Sequence, residues 1–150
     1  MTIDDTPSHR VSDDLEVADY GLEIEHFRQD LLDGLTQPQK QVPCKYLYDA
    51  KGSLIFDRIC EVRDYYPTRT ETRIKRRYAG EIAEAIGSRA LVVEPGSGNG
   101  DKAIRLLESL VEPVAYVPLE ISKAHMIDAA ERINGRFPSV EVLPVCADFT

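Results

Sequence analysis

The sequence lacks the features that mark several classes of protein. It contains no tryptophan, and its three cysteines and three histidines are widely spaced along 150 residues. None of them has a second one at metal-ligand spacing, so we expect no metal site, and the odd number of cysteines argues against a disulfide framework. No apolar run approaches the roughly 20 residues of a membrane-spanning helix, and no secretory signal is visible. These absences favour a cytoplasmic protein with reduced thiols.

Positive charge is also scarce. The chain has 18 lysines and arginines against 26 aspartates and glutamates, which gives a net charge of -8. A nucleic-acid partner is therefore not expected, because binding to phosphates requires a basic face. Much of the imbalance lies in residues 1–19, which hold six acidic residues and one basic one and show no hydrophobic periodicity. We interpret residues 1–19 as a flexible acidic tail.

Helical patterns dominate residues 20–88, which we predict to be an N-terminal helical segment. Apolar residues recur on one face from Tyr20, and Gly34 marks the end of this first helix. A linker with two prolines follows and is expected to be extended. It leads into a turn over residues 48–53 and then a short helix over residues 54–60.

Two adjacent tyrosines, Tyr65 and Tyr66, precede a proline. The residue before a proline is held in extended backbone, so their side chains point in different directions. One tyrosine can then pack while the other presents its hydroxyl, although two packed aromatic rings would also explain the pair. Thr68 and Glu71 have the spacing of a capping box, which predicts the start of a long helix that ends at Gly87.

From residue 89 onwards the pattern alternates between strand and helix. Strands are expected over residues 90–94, 114–119 and 140–145, and helices over residues 101–111 and 122–136. Such alternation is typical of βαβ units in a parallel sheet. We therefore predict an α/β fold, in which the helical segment is followed by a partial Rossmann-like domain over residues 89–150.

The first of these strands leads into a glycine-rich turn. Gly96, Gly98 and Gly100 alternate after Glu94, so the backbone lacks Cβ atoms where a ligand would approach. The helix that begins at Asp101 offers unpaired main-chain amides to polar or anionic groups. The turn alone is a weak signal, because glycine-rich turns are common.

Two further features follow the carboxyl ends of strands, where ligands bind in open parallel sheets. Glu120 comes 24 residues after Gly96, near the offset of about 20 residues at which a carboxylate reaches ribose hydroxyls. Asp148 can accept a hydrogen bond from an adenine amino group, and Phe149 offers its ring to the base. Together with the glycine-rich turn, these features predict a nucleoside-cofactor site.

The details of the turn discriminate between cofactors. A dinucleotide fingerprint requires glycine at position 101, and Asp101 instead puts a carboxylate where a pyrophosphate would pass. S-adenosylmethionine has no phosphate, and Glu94 would favour its cationic part. Lys102 could pair with its carboxylate, although a solvated lysine is the alternative reading. A nicotinamide cofactor is therefore the least favoured.

Several strings of the sequence resemble the histidine Nα-methyltransferase family of ergothioneine biosynthesis, which belongs to the class I S-adenosylmethionine-dependent methyltransferases. They are Tyr-Asp-Ala-Lys-Gly-Ser at 48–53, Asp-Tyr-Tyr-Pro-Thr-Arg-Thr-Glu at 64–71, Glu-Pro-Gly-Ser-Gly at 94–98 with Lys102, and Asp-Phe at 148–149. The resemblance covers residues 20–150. It implies methylation of the α-amine of histidine, up to the trimethylated betaine.

The pattern and the resemblance together select the candidate site residues. The candidates for cofactor binding are Glu94, Gly96, Gly98, Lys102, Glu120, Asp148 and Phe149. The resemblance implies that Tyr65, with Tyr48, contacts the amino-acid substrate. There are departures from the family pattern: Glu120 replaces an aspartate, Pro95 replaces an apolar residue, and Val62-Arg63 replaces Leu-Pro. No catalytic base is identified, since direct displacement at the sulfonium methyl needs mainly positioning.

The residues from Leu91 onwards provide room for only three strands of such a sheet. We therefore expect an N-terminal fragment with an unpaired edge on its first strand and with little or no methyltransferase activity alone. Two alternatives stay open at this point. One is a methyltransferase that acts on another small amine, and the other is a non-catalytic binding or scaffold fragment.

Overall fold

A computed structural model of the chain describes residues 7–12, 15–20 and 26–149. The elements in these ranges are β1 (Ser8–Ser12), β2 (Leu15–Asp19), α1 (Phe27–Thr36), a 3-10 helix (Cys44–Leu47), α2 (Ala50–Glu61), α3 (Pro67–Ile86), β3 (Leu91–Pro95), α4 (Asp101–Leu107), β4 (Ala115–Glu120), α5 (Lys123–Arg136), β5 (Glu141–Val142) and β6 (Val145–Cys146). None of these described helices combines the length and the apolar character needed to cross a membrane.

The described strands form one sheet in the order β1-β2-β6-β4-β3, with β5 also paired to β4. Only the β1–β2 pair is antiparallel, and the other pairs are parallel. Strand β4 is central, because it pairs with β3 on one side and with β5 and β6 on the other. The predicted α/β class with a parallel, Rossmann-like sheet is confirmed.

The prediction of a flexible tail is wrong for the described part of residues 1–19. Strands β1 and β2 form a hairpin there, and β2 extends the sheet by pairing with β6. Leu15 and Val17 are only 2% and 0% exposed, whereas Glu16 between them faces solvent. Two buried residues in alternation are too few to stand out in an acidic stretch, so the burial was not visible in the sequence.

The third predicted strand is split into β5 and β6. Pro144 lies between them and has no N–H to donate to the ladder. The pairing nevertheless keeps its direction, since Val142 is opposite Tyr116 and Cys146 is opposite Glu120. The end of β6 therefore lies beside the end of β4, as a continuous strand would place it.

The helices differ from their predicted bounds mainly at their ends. Helix α1 begins at Phe27, and residues 21–25 of its predicted first turns lie outside the described residues. Helix α4 ends at Leu107 instead of continuing to 111. The predicted capping box is absent, because α3 begins at Pro67 after Tyr66, whose side chain makes no capping hydrogen bond.

The core lies between the sheet and the helices that follow its parallel strands. Helix α5 buries Met126, Ala129, Ala130 and Ile133. Helix α2 packs against α5, and α3 packs against α4. These contacts bring the N-terminal helices next to the loops that follow β3 and β4, and the boundary at residue 88 stays a prediction.

Candidate functional site

The glycine-rich turn connects β3 to α4 in a conformation that favours glycine. Gly96, Gly98 and Gly100 have φ angles of +70°, +54° and +74°, in the left-handed region that other residues rarely adopt. A Cβ on Gly100 would lie 3.0 Å from the Cδ1 of Ile133, so α5 packs closely on the turn. A Cβ on Gly98 would meet no atom within 4 Å. The turn thus packs against α5 at Gly100 and is open on the side that the missing Cβ of Gly98 would occupy.

Glu120 at the end of β4 holds this turn in place. Its carboxylate accepts hydrogen bonds from the main-chain N–H groups of Gly98 at 3.0 Å, Ile121 at 2.9 Å and Ser122 at 3.2 Å. The residue is only 7% exposed. Oε1 takes two of these bonds and Oε2 takes one. A carboxylate has about four acceptor positions, so Oε2 can accept from one further donor.

Asp148 and Phe149 reach the same place from β6. Cys146 is the register partner of Glu120, and the Ala147 N–H donates to the Glu120 carbonyl oxygen at 3.1 Å. The tip of the Phe149 ring lies 3.6 Å from the point that a Cβ on Gly96 would occupy. The structure therefore brings the glycine-rich turn, Glu120 and the Asp148–Phe149 pair together at one edge of the sheet. The carboxyl ends of β3, β4 and β6 thus lie side by side there.

The Asp148 carboxylate also forms an ion pair with Lys45 at 3.0 Å. Lys45 lies in the 3-10 helix, so this pair ties the N-terminal helical segment to the end of β6. The pKa of Lys45 is raised, chiefly by its hydrogen bond to Asp148. Lys45 was not identified from the sequence, because 103 residues separate it from its partner.

Glu94 is a half-buried carboxylate just before the turn. The Tyr116 hydroxyl donates a hydrogen bond to its Oε2 at 2.8 Å. Burial raises the pKa of the Glu94 carboxyl, although the hydrogen bond from Tyr116 and the charges of Lys75 and Lys102 oppose that rise. The structure thus holds a carboxylate beside the turn that a cationic ligand would stabilise.

Lys102 lies in the first turn of α4 and bonds to Glu71 of α3 at 2.8 Å. Glu71 also pairs with Lys75 at 3.0 Å. Burial acts to raise the pKa of Glu71, but the two lysines outweigh it and the pKa is lowered. Burial acts to lower the pKa of Lys102, and Glu71 and Glu94 outweigh it, so that pKa is raised. Lys102 is therefore a charged donor that has a protein partner and remains 45% exposed.

Tyr48 and Tyr65 are brought together by a residue that the sequence did not single out. Phe56 of α2 lies between them, with its ring centroid 6.1 Å from that of each tyrosine, in edge-on geometry. Tyr65 is half-buried by this contact, whereas Tyr66 is 68% exposed. One tyrosine of the adjacent pair packs and the other faces solvent, which is one of the two arrangements that the sequence left open. The predicted extended backbone before Pro67 is wrong, because Tyr66 has helical angles of φ -76° and ψ -22°.

Tyr48 also lines a cleft of about 360 Å³ at the start of α5. Ile121 and Ser122, which follow Glu120, form part of its wall together with Asp49. The cleft therefore connects the region of the tyrosines to the strand end that carries Glu120. Within the described ranges, no group of three or more acidic, cysteine or histidine side chains is arranged to hold a metal ion.

Comparison with known proteins agrees with this geometry. A family model described as "Histidine-specific methyltransferase, SAM-dependent" matches residues 27–150. Histidine N-alpha-methyltransferase of Mycolicibacterium smegmatis is 38% identical over 128 residues, which cover 83% of this chain and 40% of that protein. The chain thus spans less than half the length of this relative.

Two fungal relatives are also similar. Ergothioneine biosynthesis protein 1 of Neurospora crassa is 35% identical over 67% of this chain and 11% of that protein. A 4-dimethylallyltryptophan N-methyltransferase of Aspergillus fumigatus is 32% identical over 64% of this chain and 29% of that protein. The family model covers most of the residues, including the glycine-rich turn, Glu120, Asp148 and Phe149. The chain therefore belongs to the family of SAM-dependent, histidine-specific methyltransferases.

Proposed function

We propose that this chain carries the S-adenosylmethionine site, and part of the amino-acid site, of an N-methyltransferase that acts on the α-amine of histidine in an ergothioneine-type pathway. The observation that carries the proposal is the contact between Glu120 and the Gly98 N–H beneath an open turn. Family membership and the similarity to a histidine N-alpha-methyltransferase support the reaction class.

The residues at the carboxyl ends of β3, β4 and β6 fit the nucleoside part of this cofactor. Glu120 has an acceptor position left on Oε2, which suits a ribose hydroxyl. Asp148, which is also paired with Lys45, would accept a hydrogen bond from an adenine amino group, and Phe149 would pack against the base. Gly98 leaves room for close approach to the backbone, because the position of its missing Cβ is open, whereas that of Gly96 faces the Phe149 ring.

The amino-acid part of the cofactor carries a sulfonium, an ammonium and a carboxylate, so its site requires protein groups of both charges. Glu94 would stabilise the sulfonium and ammonium groups, and this would offset the cost of keeping a carboxylate half-buried. Lys102 would bind the carboxylate. Its ammonium has three donors, so it can do so while it keeps or exchanges its bond to Glu71.

The bound cofactor would supply a methyl group activated by the positive sulfur. The protein would then have to hold the acceptor amine, in its neutral form, in line with that methyl group, which is mainly a matter of positioning. We assign this role to Tyr48 and Tyr65, whose rings are fixed by Phe56. No catalytic base is assigned.

Isothermal titration calorimetry with S-adenosylhomocysteine tests the cofactor assignment. We expect a clear heat of binding for the wild-type chain and none for NAD. Gly98→Ala should weaken binding at least about tenfold, because the new Cβ fills the open space and strains a residue at φ +54°. Gly80→Ala is the matched control, since its Cβ also meets nothing within 4 Å but lies on α3. A folded wild-type chain that binds no S-adenosylhomocysteine would favour a scaffold role instead.

A second candidate acceptor comes from the Aspergillus relative, whose name specifies a prenylated tryptophan. Histidine and tryptophan can therefore be compared by saturation-transfer NMR on the complex with S-adenosylhomocysteine. We expect contact signals from histidine that the Tyr65→Phe variant weakens. Signals from tryptophan but not histidine would support the other acceptor class.

The proposal places the protein in the cytoplasm and gives it a small-molecule substrate, without nucleic acid or membrane. The three cysteines are free in the structure, which agrees with a reducing compartment. Burial raises the pKa of the Cys146 thiol to about 11, so this thiol is neutral and unreactive at physiological pH.

A further inference from the structure

Asp57 lies on α2 where this helix meets the glycine-rich turn and α5. Its Oδ1 accepts a hydrogen bond from the Nδ2 of Asn99 at 3.4 Å, and its Oδ2 lies 3.5 Å from the Nε2 of His125. The Asp57 side chain is 34% exposed and that of His125 is 14% exposed. This carboxylate thus contacts both the glycine-rich turn and α5 from α2.

Asn99 transmits the conformation of the turn to this carboxylate. Its Oδ1 accepts a hydrogen bond from the Asp101 N–H at 3.1 Å, so the turn itself orients the carboxamide and directs Nδ2 towards α2. Arg132 donates to the main-chain oxygen of Asn99 at 2.5 Å. The preceding residue is Gly98, whose N–H binds Glu120. A movement of the turn that alters the contact with Glu120 would therefore also move the amide that Asp57 holds.

The same helix carries the support of the two candidate substrate tyrosines. Phe56 is the neighbour of Asp57 in the chain, and its ring contacts those of Tyr48 and Tyr65. Helix α2 begins at Ala50, directly after its capping residue Asp49, whose side chain accepts the Gly52 N–H at 2.7 Å. Because Phe56 is the chain neighbour of Asp57 on this helix, a shift of α2 at Asp57 would also shift the contacts of Phe56 with both rings.

We propose that Asp57 is a positioning residue that couples occupancy of the glycine-rich turn to the placement of Tyr48 and Tyr65. The inference rests on the proposed function, which assigns the turn to the cofactor and the tyrosines to the acceptor. A ligand that fixes the turn favours the arrangement in which Asn99 holds Asp57, and so orders α2 and the two rings. By linkage, an acceptor held by the tyrosines strengthens cofactor binding by the same factor.

The test uses fluorine NMR on the 150-residue chain with 3-fluorotyrosine at its seven tyrosines, and S-adenosylhomocysteine as the probe. Single Tyr→Phe substitutions assign the signals. In the wild type, we expect the signals of Tyr48 and Tyr65 to shift on titration while that of Tyr78, on α3, stays in place. In Asp57→Ala, binding should change by less than about threefold, but the two signals should stay at their unliganded positions.

Two further variants make the result decisive. Asn99→Ala removes the other partner of the contact and should give the same loss of response, which covers the case that Asp57→Ala does not fold. Glu61→Gln is the matched control, because Glu61 is exposed on the same helix, and it should respond like the wild type. The coupling alone would be overturned if the signals of Tyr48 and Tyr65 do not move in the wild type. It would also be overturned if they move in Asp57→Ala and Asn99→Ala as they do in the wild type. A folded wild type without any binding would overturn the cofactor assignment and the coupling with it.

Discussion

Glu120 shows at the residue scale how one side chain can serve both the fold and the site. Its carboxylate accepts three main-chain hydrogen bonds, one from the glycine-rich turn and two from the residues that lead into α5. Such charge-assisted bonds are about twice as strong as neutral ones. The side chain therefore holds the glycine-rich turn against the end of β4 before any ligand binds, and a ribose would meet a preorganised acceptor.

Glu120→Gln tests this arrangement directly. An amide can retain the two bonds at Oε1, but it then presents an NH₂ group to the Gly98 N–H in place of Oε2. We expect a loss of stability of about 1–3 kcal/mol, because a buried donor loses its acceptor, and at least tenfold weaker binding of S-adenosylhomocysteine, about 1.4 kcal/mol. Denaturant unfolding and calorimetry measure the two effects.

Glu141→Gln is the control for this substitution, since Glu141 is exposed on the short strand β5. It should leave both stability and affinity close to those of the wild type. Unchanged binding in Glu120→Gln would show that this carboxylate has no part in holding the ligand.

Glu94 lies at a site where stability and binding are expected to oppose each other. Folding raises its pKa above the ordinary value of 4.5, so the charged form is disfavoured in the folded state. The contribution of Glu94 to stability is therefore complete below pH 4.5 and is lost as the pH rises through the higher folded pKa. At neutral pH, the wild type carries a cost that a neutral side chain would avoid.

We therefore expect Glu94→Gln to melt at a higher temperature than the wild type at pH 7, with a difference that shrinks below pH 4.5. The same variant should bind S-adenosylmethionine about tenfold more weakly, because it lacks the charge opposite the sulfonium. S-adenosylhomocysteine has no sulfonium charge, so its affinity should fall less. Calorimetric melts across this pH range check the first effect, and equal losses for both ligands would contradict the second.

At the scale of elements, the sequence predicted most of what lies after residue 89. The alternating strands and helices could be predicted because each has a strong local hydrophobic period, and the apolar face of α5 is buried at Met126, Ala129, Ala130 and Ile133. The ends of β3, β4 and β6 follow from this order, since parallel strands share their carboxyl edge. The grouping of Gly98, Glu120 and Phe149 at this edge could thus be anticipated, while their binding roles stay predictions.

Other parts of the site depend on contacts that no local pattern contains. Asp57 meets Asn99 across 42 residues, and Lys45 meets Asp148 across 103. In the sequence, Phe56 is an ordinary apolar residue of a helix, and only the fold shows that it lies between two tyrosines. The β1–β2 hairpin was missed for a related reason, because β2 is stabilised by pairing with β6 near the other end of the chain.

Val17→Ala tests whether the hairpin belongs to the folded unit. Val17 is 0% exposed and packs in a small cluster with Met126 and Cys146. Removing two buried methyl groups should destabilise the chain by about 2 kcal/mol. Val42→Ala, at a valine that is 45% exposed in the linker, should cost less than about 0.5 kcal/mol. If urea unfolding shows the same loss of stability for both substitutions, residues 15–19 are not part of the folded unit.

Strand β3 lies at one edge of the described sheet, and β1 lies at the other. Among the described residues, β3 pairs only with β4, so its other edge has a row of main-chain N–H and C=O groups without strand partners. Leu91 and Val93 on this strand are 56% and 55% exposed. An edge of this kind is a template for another strand, and the apolar side chains add a hydrophobic gain to such pairing.

We therefore expect this chain to self-associate through β3 as its concentration rises. Val93→Lys should suppress the association, because pairing would bury the new ammonium group. Val111→Lys adds the same charge at a valine that is 58% exposed outside the strands, and it should associate like the wild type. Sedimentation velocity over a hundredfold range of concentration measures both. If Val93→Lys and Val111→Lys reduce association equally, net charge and not strand pairing controls it, and the β3 edge is not the contact.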